Sequence, residues 1–183
     1  MQHMTGLLVV ALGSALWFAP FIFAKRGAGS LIAVDRRARW GLLLQVLGLV
    51  MMVLSPFWTI RQFSPRLAVA TVLFLLAALL SFTATHSLGR QLRFDAAIGA
   101  EHELVRSGPY SFIRHPIYSS MLCLLWAIGS VATPLWLFIA ATVVFIAGTE
   151  VRVKIEDRLL KDRFGENFLR YQRSAAAYVP LVR

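Results

Sequence analysis

Long apolar runs alternate with short polar segments along most of the chain, and this pattern predicts an integral membrane protein built from helices. We predict five transmembrane helices, covering residues 4–24, 40–58, 67–85, 116–131 and 134–149. The first three approach the roughly 20 residues that a helix needs to cross the hydrocarbon core. The last two are shorter, and the uncharged break between them predicts a helical hairpin with Pro134 in the first turn of the returning helix. The expected fold class is therefore all-α.

The segment after the fifth run has a different pattern, because its apolar residues follow helical spacing on one side only. That side carries Val151, Ile155, Leu159 and Leu160, and charged residues lie opposite. Phe164 and Gly165 are expected to end this helix, and Phe168 begins a second amphipathic piece. We predict a cytoplasmic amphipathic C-terminal helix that lies along the lipid headgroups.

The distribution of basic residues predicts how the helices are oriented in the membrane. The net charge is +10, but the basic residues alternate with apolar runs and do not form one face, which favours membrane topology over a nucleic-acid partner. The first loop is rich in basic residues: Lys25, Arg26, Arg36, Arg37 and Arg39. The second loop has only Arg61 and Arg66, and the following loops continue the alternation. Since basic loops stay inside, we expect an outside amino terminus and a cytoplasmic carboxyl terminus.

Several site classes find no support in the sequence. The single cysteine, Cys123, lies in an apolar run, so no disulfide framework is expected. The histidines do not match a zinc-binding spacing, and HExxH, GxGxxG, Walker and GxSxG motifs are absent from the sequence. We therefore expect no metal.

A polar stretch at residues 101–118, EHELVRSGPYSFIRHPIY, is the strongest candidate site. Ser107 to Tyr110 has turn chemistry, and His115 precedes a proline that suits the first turn of the fourth helix. Free backbone N–H groups at that point attract negative or electron-rich ligand groups. Two plainer interpretations stay open: an ordinary connecting turn, and an interfacial anchor in which Arg114 reaches the lipid phosphates.

Arg152 and Glu156 form a second candidate feature, because a spacing of four places them on one face of the tail helix. They follow directly after a membrane run, where unpaired charge is costly and ionisable groups tend to line polar cavities. The alternative is a simple intrahelical ion pair, worth about 0.3 kcal/mol.

Together these residues resemble the isoprenylcysteine carboxyl methyltransferase family of integral membrane enzymes. The matching elements are His102 to Val105, Ser107 to Tyr110, Arg114 to Tyr118, Glu156-Asp157, Phe164-Gly165, Tyr171 and Pro180. The resemblance covers roughly the carboxyl-terminal half. It divides one membrane domain, 1–183, into three N-terminal spans (1–85) and a methyltransferase core (86–183).

The resemblance implies S-adenosylmethionine as the methyl donor. The cofactor contacts it implies are His102, Glu103, Leu104, Val105, Tyr110, His115, Pro116, Ile117, Tyr118 and Glu156. It also implies that Arg152 binds the substrate carboxylate. Asp157 stands where the family usually has a second Glu, and no role is transferred to it.

The expected function is methyl transfer to a carboxylate on a lipidic or prenylated acceptor, at the cytoplasmic face of what we expect to be a bacterial inner membrane. A phospholipid N-methyltransferase is the nearest alternative, although an amine acceptor gains nothing from Arg152. An NADPH-dependent sterol reductase is disfavoured by Ile117, Ser119 and Ser120, and a non-catalytic membrane protein is the remaining alternative.

Overall fold

The helices follow the apolar runs closely. A small two-stranded sheet is an addition that the sequence did not predict. A computed structural model describes residues 2–24, 31–54 and 65–179. Within these ranges the elements are α1 (Gln2–Phe23), β1 (Leu31–Val34), α2 (Ala38–Val53), α3 (Pro65–Leu88), β2 (Ala97–Gly99), α4 (Pro116–Ala132), α5 (Leu135–Phe164) and α6 (Glu166–Ser174). Short 3₁₀ helices form at Gly89–Gln91 and Gly108–Ser111.

The helices carry the surface expected of a membrane protein. Three described segments are long and apolar enough to cross a membrane, namely Thr5–Phe23, Pro65–Gln91 and Leu135–Phe164, and α2 and α4 are shorter apolar helices. Large apolar side chains point outward along them: Leu12 is 63% exposed, Leu75 60% and Val143 60%. Such a surface is unfavourable in water and suited to lipid.

The fifth predicted span and the predicted tail helix are not separate helices. α5 is one continuous helix of 30 residues that runs through both, and only the nine residues of α6 are separate. No glycine or proline lies between residues 149 and 164 to interrupt it, whereas Gly165 ends it with φ +53°. Pro134 stands immediately before α5 as its N-cap, and not in its first turn.

Parts of other predictions lie outside the described residues. These are the end of the second predicted span beyond residue 54, the topology residues Lys25, Arg26 and Arg61, and Pro180 of the family pattern.

The all-α prediction omits a small antiparallel sheet. β1 pairs with β2 in the register Leu31↔Gly99 and Val34↔Ala97, with an irregularity between Leu31 and Ala33. Strands of three and four residues are too short to show a period-two pattern, so the sequence carries no clear signal for them. The pairing folds the segment after α3 back across the end of α2 where that helix begins, and Asp35 N donates to Ala96 O at 3.1 Å.

Glycines set the main helix contact. α5 packs chiefly on α2, while α4 and α1 pack chiefly on α3. A Cβ at Gly148 would lie 2.5 Å from Gly41 O, and one at Gly48 would lie 2.9 Å from Ala141 O, so the α2 and α5 backbones touch. Gln45 Nε2 donates to Thr149 Oγ1 at 2.9 Å within the same interface. The predicted α4–α5 hairpin therefore exists as a connection through Thr133 and Pro134, but each of its helices finds its main partner elsewhere.

Candidate active site

A cavity of about 440 Å³ opens where α1, α2, α4 and α5 meet the segment after α3. Its lining changes character with depth. The end beside the sheet and the start of α4 carries the charged and polar residues, such as His102, Arg114 and Glu156, among apolar residues of the segment after α3. One to two turns further into the helices, the lining is mostly apolar and includes Trp17, Phe18, Phe21, Leu42 and Met121. The cavity thus joins a polar compartment to an apolar one.

The predicted turn before α4 is shaped by a glycine in a conformation that other residues avoid. Gly108 has φ +59°, and a Cβ there would lie 2.3 Å from Ser87 Oγ near the end of α3. Pro109 and Tyr110 are buried behind it, and Tyr171 Oη of α6 donates to Tyr110 O at 2.6 Å. The turn is therefore fastened to both α3 and α6, which fixes the chain direction into α4.

A carboxyl-terminal strap, residues 175–179, holds the segment that precedes α4. Arg114 N donates to Ala176 O at 2.8 Å, His115 N donates to Ala177 O at 2.9 Å, and Ala176 N donates to Phe112 O at 3.0 Å. Ser119 Oγ also donates to Tyr178 O. The residues of this strap have no chemical pattern that marks them as part of a site, and the sequence analysis missed them.

His115 lies buried between the two acids of α5. It is the N-cap of α4, with φ −126° and ψ 61°, outside the helical region as a residue before proline should be. Its Nε2 lies 2.9 Å from Asp157 Oδ1, and its Nδ1 lies 3.4 Å from Glu156 Oε2. Burial alone would lower the pKa of His115, but the hydrogen bonds and charges of Asp157 and Glu156 outweigh it and raise the pKa to about 9. His115 is therefore an imidazolium near neutral pH and holds both carboxylates in place.

Glu156, Arg152 and Tyr118 form one hydrogen-bonded cluster on the cavity wall. Tyr118 Oη donates to Glu156 Oε1. Arg152 Nε donates to Tyr118 Oη at 2.6 Å, and its Nη2 donates to Glu156 Oε1 at 3.2 Å and to Phe94 O at 2.9 Å. Arg152 is 7% exposed and Glu156 keeps 22% of its side chain accessible. The predicted pair thus lies together, and Tyr118 joins it to the start of α4.

Asp157 has a clear structural role that the sequence analysis did not assign. Its Oδ2 accepts from Arg114 Nη2 at 3.1 Å and from Gln172 Nε2 at 3.2 Å, while Oδ1 faces His115. Asp157 is not among the residues that line the cavity. The available signal was the match of two adjacent acids, 156–157, with an adjacent Arg-His pair, 114–115.

The remaining predicted residues divide into two groups. His102 and Ile117 line the cavity together with Tyr110. The others do not line it: Glu103 is exposed beside a shallow depression, Leu104 packs on Phe168, Val105 is half-buried, and Pro116 is fully buried under the start of α4. The structure therefore brings together seven of the predicted residues around one space: His102, Tyr110, His115, Ile117, Tyr118, Arg152 and Glu156.

Several buried polar atoms of the cavity residues have no hydrogen-bond partner among the described residues. These are His102 Nδ1, Arg93 Nε, Arg114 Nε and Gln45 Oε1. Burial, with smaller contributions from Arg93 and Arg163, lowers the pKa of His102, which keeps its imidazole neutral at pH 7. Since buried polar groups are normally paired, these four atoms are exceptions among the described residues.

Comparison with known proteins agrees with this geometry. Residues 65–167 match the family model described as "Phospholipid methyltransferase", and this region holds the whole of the cluster around Glu156. The chain is 30% identical to protein-S-isoprenylcysteine O-methyltransferase B of Arabidopsis thaliana over 134 residues, which are 70% of this chain and 64% of that protein.

Two further relatives align over shorter regions. Protein-S-isoprenylcysteine O-methyltransferase of Saccharomyces cerevisiae is 28% identical over 103 residues, 55% of this chain and 41% of that protein. Methanethiol S-methyltransferase 1 of Bradyrhizobium diazoefficiens is 32% identical over 74 residues, 40% of this chain and 25% of that protein. The chain thus spans less than two thirds of the length of these relatives. Their names confirm the resemblance found in the motifs, and the match over more than half of the chain shows that it belongs to the phospholipid methyltransferase family.

Proposed function

We propose that this protein transfers a methyl group from S-adenosylmethionine to a carboxylate on a lipidic or prenylated acceptor. Two relatives are named as protein-S-isoprenylcysteine O-methyltransferases, which supports an acceptor of this class. Membership of a methyltransferase family favours methyl transfer over the reductase and non-catalytic alternatives.

Arg152 is the observation that carries the proposal. Its Nε and Nη2 are engaged by Tyr118, Glu156 and Phe94, and its Nη1 has no acceptor within the described part of the chain. A buried guanidinium with one hydrogen-bonding edge left open toward a cavity suits an anionic acceptor, because charge-assisted hydrogen bonds to a carboxylate satisfy both its donors and its charge. An acceptor such as a simple alkyl thiol, which has no oxygen to accept these hydrogen bonds, would leave that edge unpaired.

The polar half of the cavity fits the methyl donor. A volume of about 440 Å³ lies within the roughly 300–1,000 Å³ typical of small-molecule sites. We assign Glu156 to the cationic or hydroxyl groups of S-adenosylmethionine, and His102 and Tyr110, which also line the cavity, to its other polar and aromatic surfaces. Since both ring nitrogens of His115 face acids, we assign it the role of orienting Glu156. Leu104, Val105 and Pro116 would act from behind the residues that line the cavity, and Glu103 has no contact with it.

Methyl transfer requires the protein chiefly to align the acceptor carboxylate with the methyl donor. When bound, S-adenosylmethionine supplies a sulfonium methyl group, whose transfer forms an O–CH₃ bond and returns the electron pair of the broken C–S bond to sulfur. An acceptor carboxylate is already ionised near neutral pH, so the protein needs no general base. Arg152, held by Tyr118 and Glu156, fixes the carboxylate next to the donor compartment, and such positioning supplies much of the acceleration.

The apolar half of the cavity suits a lipid chain. We propose that all five long helices cross the membrane, with the amino terminus outside and the polar end of the cavity in the cytoplasm of a bacterial cell. α1 and α2 make few contacts with each other, and cavity residues Phe18 and Leu42 from these helices are partly exposed on the outer surface, at 52% and 42%. A lipid tail would enter laterally there, and the polar donor would enter from the cytoplasm.

Methyl transfer by the purified chain in nanodiscs tests the proposal. We expect labelled S-adenosylmethionine to methylate N-acetyl-S-farnesylcysteine with base-labile product, the signature of a methyl ester. Arg152→Ala should lower kcat/KM for this acceptor by about 100-fold, the effect of removing a buried charge-assisted contact, while S-adenosylmethionine still binds. Arg158→Ala, on the exposed side of the same helix, is the matched control.

The same assay separates the alternatives. Phosphatidylethanolamine is the acceptor of the N-methyl alternative, which the family description favours, and an alkyl thiol represents the S-methyl chemistry in the name of one relative. Transfer to either lipid amine or thiol in preference to the carboxylate would overturn the assignment of Arg152. Failure to bind S-adenosylmethionine would overturn the proposal as a whole.

A further inference from the structure

Arg93 is a charged residue of the cavity that the proposed reaction does not use. It lies between α3 and β2, is half-buried, and is one of the residues that line the cavity. The other cavity arginines, Arg114 and Arg152, form salt bridges. The side chain of Arg93 forms neither a salt bridge nor a hydrogen bond within the described part of the chain. Partial burial of an unpaired charge is unfavourable, so this arginine lacks the partner that its position calls for.

The guanidinium of Arg93 has a buried side and an accessible side. Its Nε is buried without a hydrogen-bond partner, whereas Nη1 and Nη2 are not among the buried unpaired atoms of the described residues. Since these two nitrogens have no partner there either, both are accessible, and they carry most of the N–H donors of the side chain. Arg93 thus presents the planar end of a cation, which suits a carboxylate.

Arg93 lies beside the cluster around Glu156. Its neighbour Phe94 accepts a hydrogen bond from Arg152 Nη2 at 2.9 Å, and the same nitrogen donates to Glu156 Oε1 at 3.2 Å. A single nitrogen atom therefore separates the backbone next to Arg93 from the Glu156 carboxylate. The charge of Arg93 also acts on His102, whose pKa it helps to lower. Arg93 therefore belongs to the part of the cavity that we assign to the methyl donor.

Asp95 supplies an opposite charge two residues after Arg93. It also lines the cavity, is exposed, and forms no salt bridge with Arg93 or with another described residue. The two charges therefore do not neutralise each other through direct contact. The amino acid group of S-adenosylmethionine carries a carboxylate and an ammonium on one carbon atom, so one ligand group could pair with both residues.

We propose that Arg93 binds the carboxylate of the amino acid group of S-adenosylmethionine and that Asp95 binds its ammonium. This inference rests on the proposed function, and it adds two residues to the cofactor contacts that the resemblance implies. A carboxylate would give Arg93 the partner that it lacks among the described residues, through charge-assisted hydrogen bonds that are roughly twice as strong as neutral ones. Fixing this end of the donor also restricts its orientation in the cavity.

Two donors that differ only in the carboxylate test the role of Arg93. They are S-adenosylmethionine and decarboxylated S-adenosylmethionine, which keeps the ammonium group. We expect the wild-type chain in phosphatidylcholine nanodiscs to bind the first with a Kd about tenfold lower, the effect of a hydrogen bond to a charged group. In Arg93→Met this preference should fall to less than about twofold, and Arg93→Lys should restore part of it, since the charge returns without the planar fork.

Substitution of Asp95 should give a different pattern with the same two donors. Because both carry the ammonium, Asp95→Asn should weaken both by a similar factor, about threefold for an exposed ion pair. Arg90→Met is the matched control for Arg93→Met. Arg90 is exposed in the shallow depression and does not line the cavity, so its substitution removes the same charge without changing the preference.

The Kd values also show which proposal fails. Equal affinity of the wild-type chain for the two donors would overturn the inference and leave the proposed function intact, as would an equal loss for both donors in Arg93→Met. Unchanged affinities in Asp95→Asn would overturn the assignment of the ammonium. If the wild-type chain bound neither donor, the proposed function would fall together with the inference.

Discussion

Helix α5 is held at two levels, and the contacts at these levels differ in kind. In the apolar half it touches α2 through backbone, with Gly148 against Gly41 and a single amide–hydroxyl bond from Gln45. Further along, toward its carboxyl end, it meets the start of α4 through charges, with Asp157 and Glu156 facing Arg114 and His115. The first contact is neutral and steric, and the second is ionic and hydrogen-bonded.

The two contacts therefore have different roles: the glycine contact positions α5, and the ionic contact provides the charged groups of the cavity. Close packing of glycines tolerates little displacement and fixes where α5 runs relative to α2. The ionic contact depends on protonation and places charged atoms at the cavity, where a ligand can use them. The two adjacent acids have different roles in the ionic contact. Glu156 lines the cavity, whereas Asp157 binds Arg114 and His115 behind it.

Substitution of Asp157 should have the largest effect on the ionic contact between α5 and the start of α4. Asp157→Asn leaves Arg114, whose side chain is 8% exposed, without its charge partner, and leaves His115 with Glu156 alone. Loss of one member of a buried ion pair costs about 3–5 kcal/mol, so we expect this loss in the free energy of unfolding measured in mixed micelles. Asp162→Asn, on an exposed position of the same helix, is the control. Equal stability of the two variants would show that Asp157 is not an anchor.

The ionic level should also make stability depend on pH. The pKa of His115 is raised from 6.5 to about 9, so its contribution is complete below pH 6.5 and is lost as the pH rises through about 9. A difference of about 2.5 units at 1.36 kcal/mol each corresponds to about 3 kcal/mol. Stability should therefore fall across this range. The groups facing His115 are Asp157 and Glu156 from α5 and the stacked ring of Tyr118.

Substitution of His115 isolates this effect. In His115→Gln the decline between pH 6.5 and 9 should disappear, whereas it should persist in His86→Gln, which alters an exposed histidine near the end of α3. A decline of the same size in His115→Gln would assign the pH dependence to another group.

The sequence marked the polar residues of the ionic contact as candidates more clearly than it marked the glycines of the neutral one, for a physical reason. His115, Tyr118, Arg152 and Glu156 are polar residues at the edges of apolar runs, where their cost requires a partner, so their types and spacing mark a site. Glycine is common in membrane helices, so the sequence does not indicate which residues Gly41 and Gly148 contact. The long apolar helices were equally predictable from their runs.

Other features depended on contacts between distant residues. The strands Leu31–Val34 and Ala97–Gly99 are too short for a periodic pattern and exist through their pairing. The strap that fastens Arg114 and His115 uses backbone atoms of Ala176 and Ala177, which any residue could supply.

Substitution in the neutral glycine contact between α2 and α5 should have the smallest effect on stability. In Gly148→Ala the new Cβ would lie 2.5 Å from Gly41 O, 2.8 Å from Leu44 Cβ and 2.9 Å from Gln45 N. Backbone atoms cannot rotate away as a side chain can, so α2 and α5 must separate slightly. Overpacking of this kind costs about 1–3 kcal/mol. Ala147→Val, which adds carbon on the exposed face of the same helix, is the control and should have little effect.

The pH and activity profiles of Gly148→Ala distinguish the two levels. Because no titrating group takes part in the glycine contact, the stability loss should be the same at pH 6 and pH 9, unlike the loss in Asp157→Asn. Arg152 lies one turn from Gly148 and rests on Gly41, so separating the helices also displaces the guanidinium from its proposed ligand. Activity should therefore fall at temperatures where the variant is still folded. A variant that is destabilised but fully active when folded would mean that the glycine contact does not position Arg152.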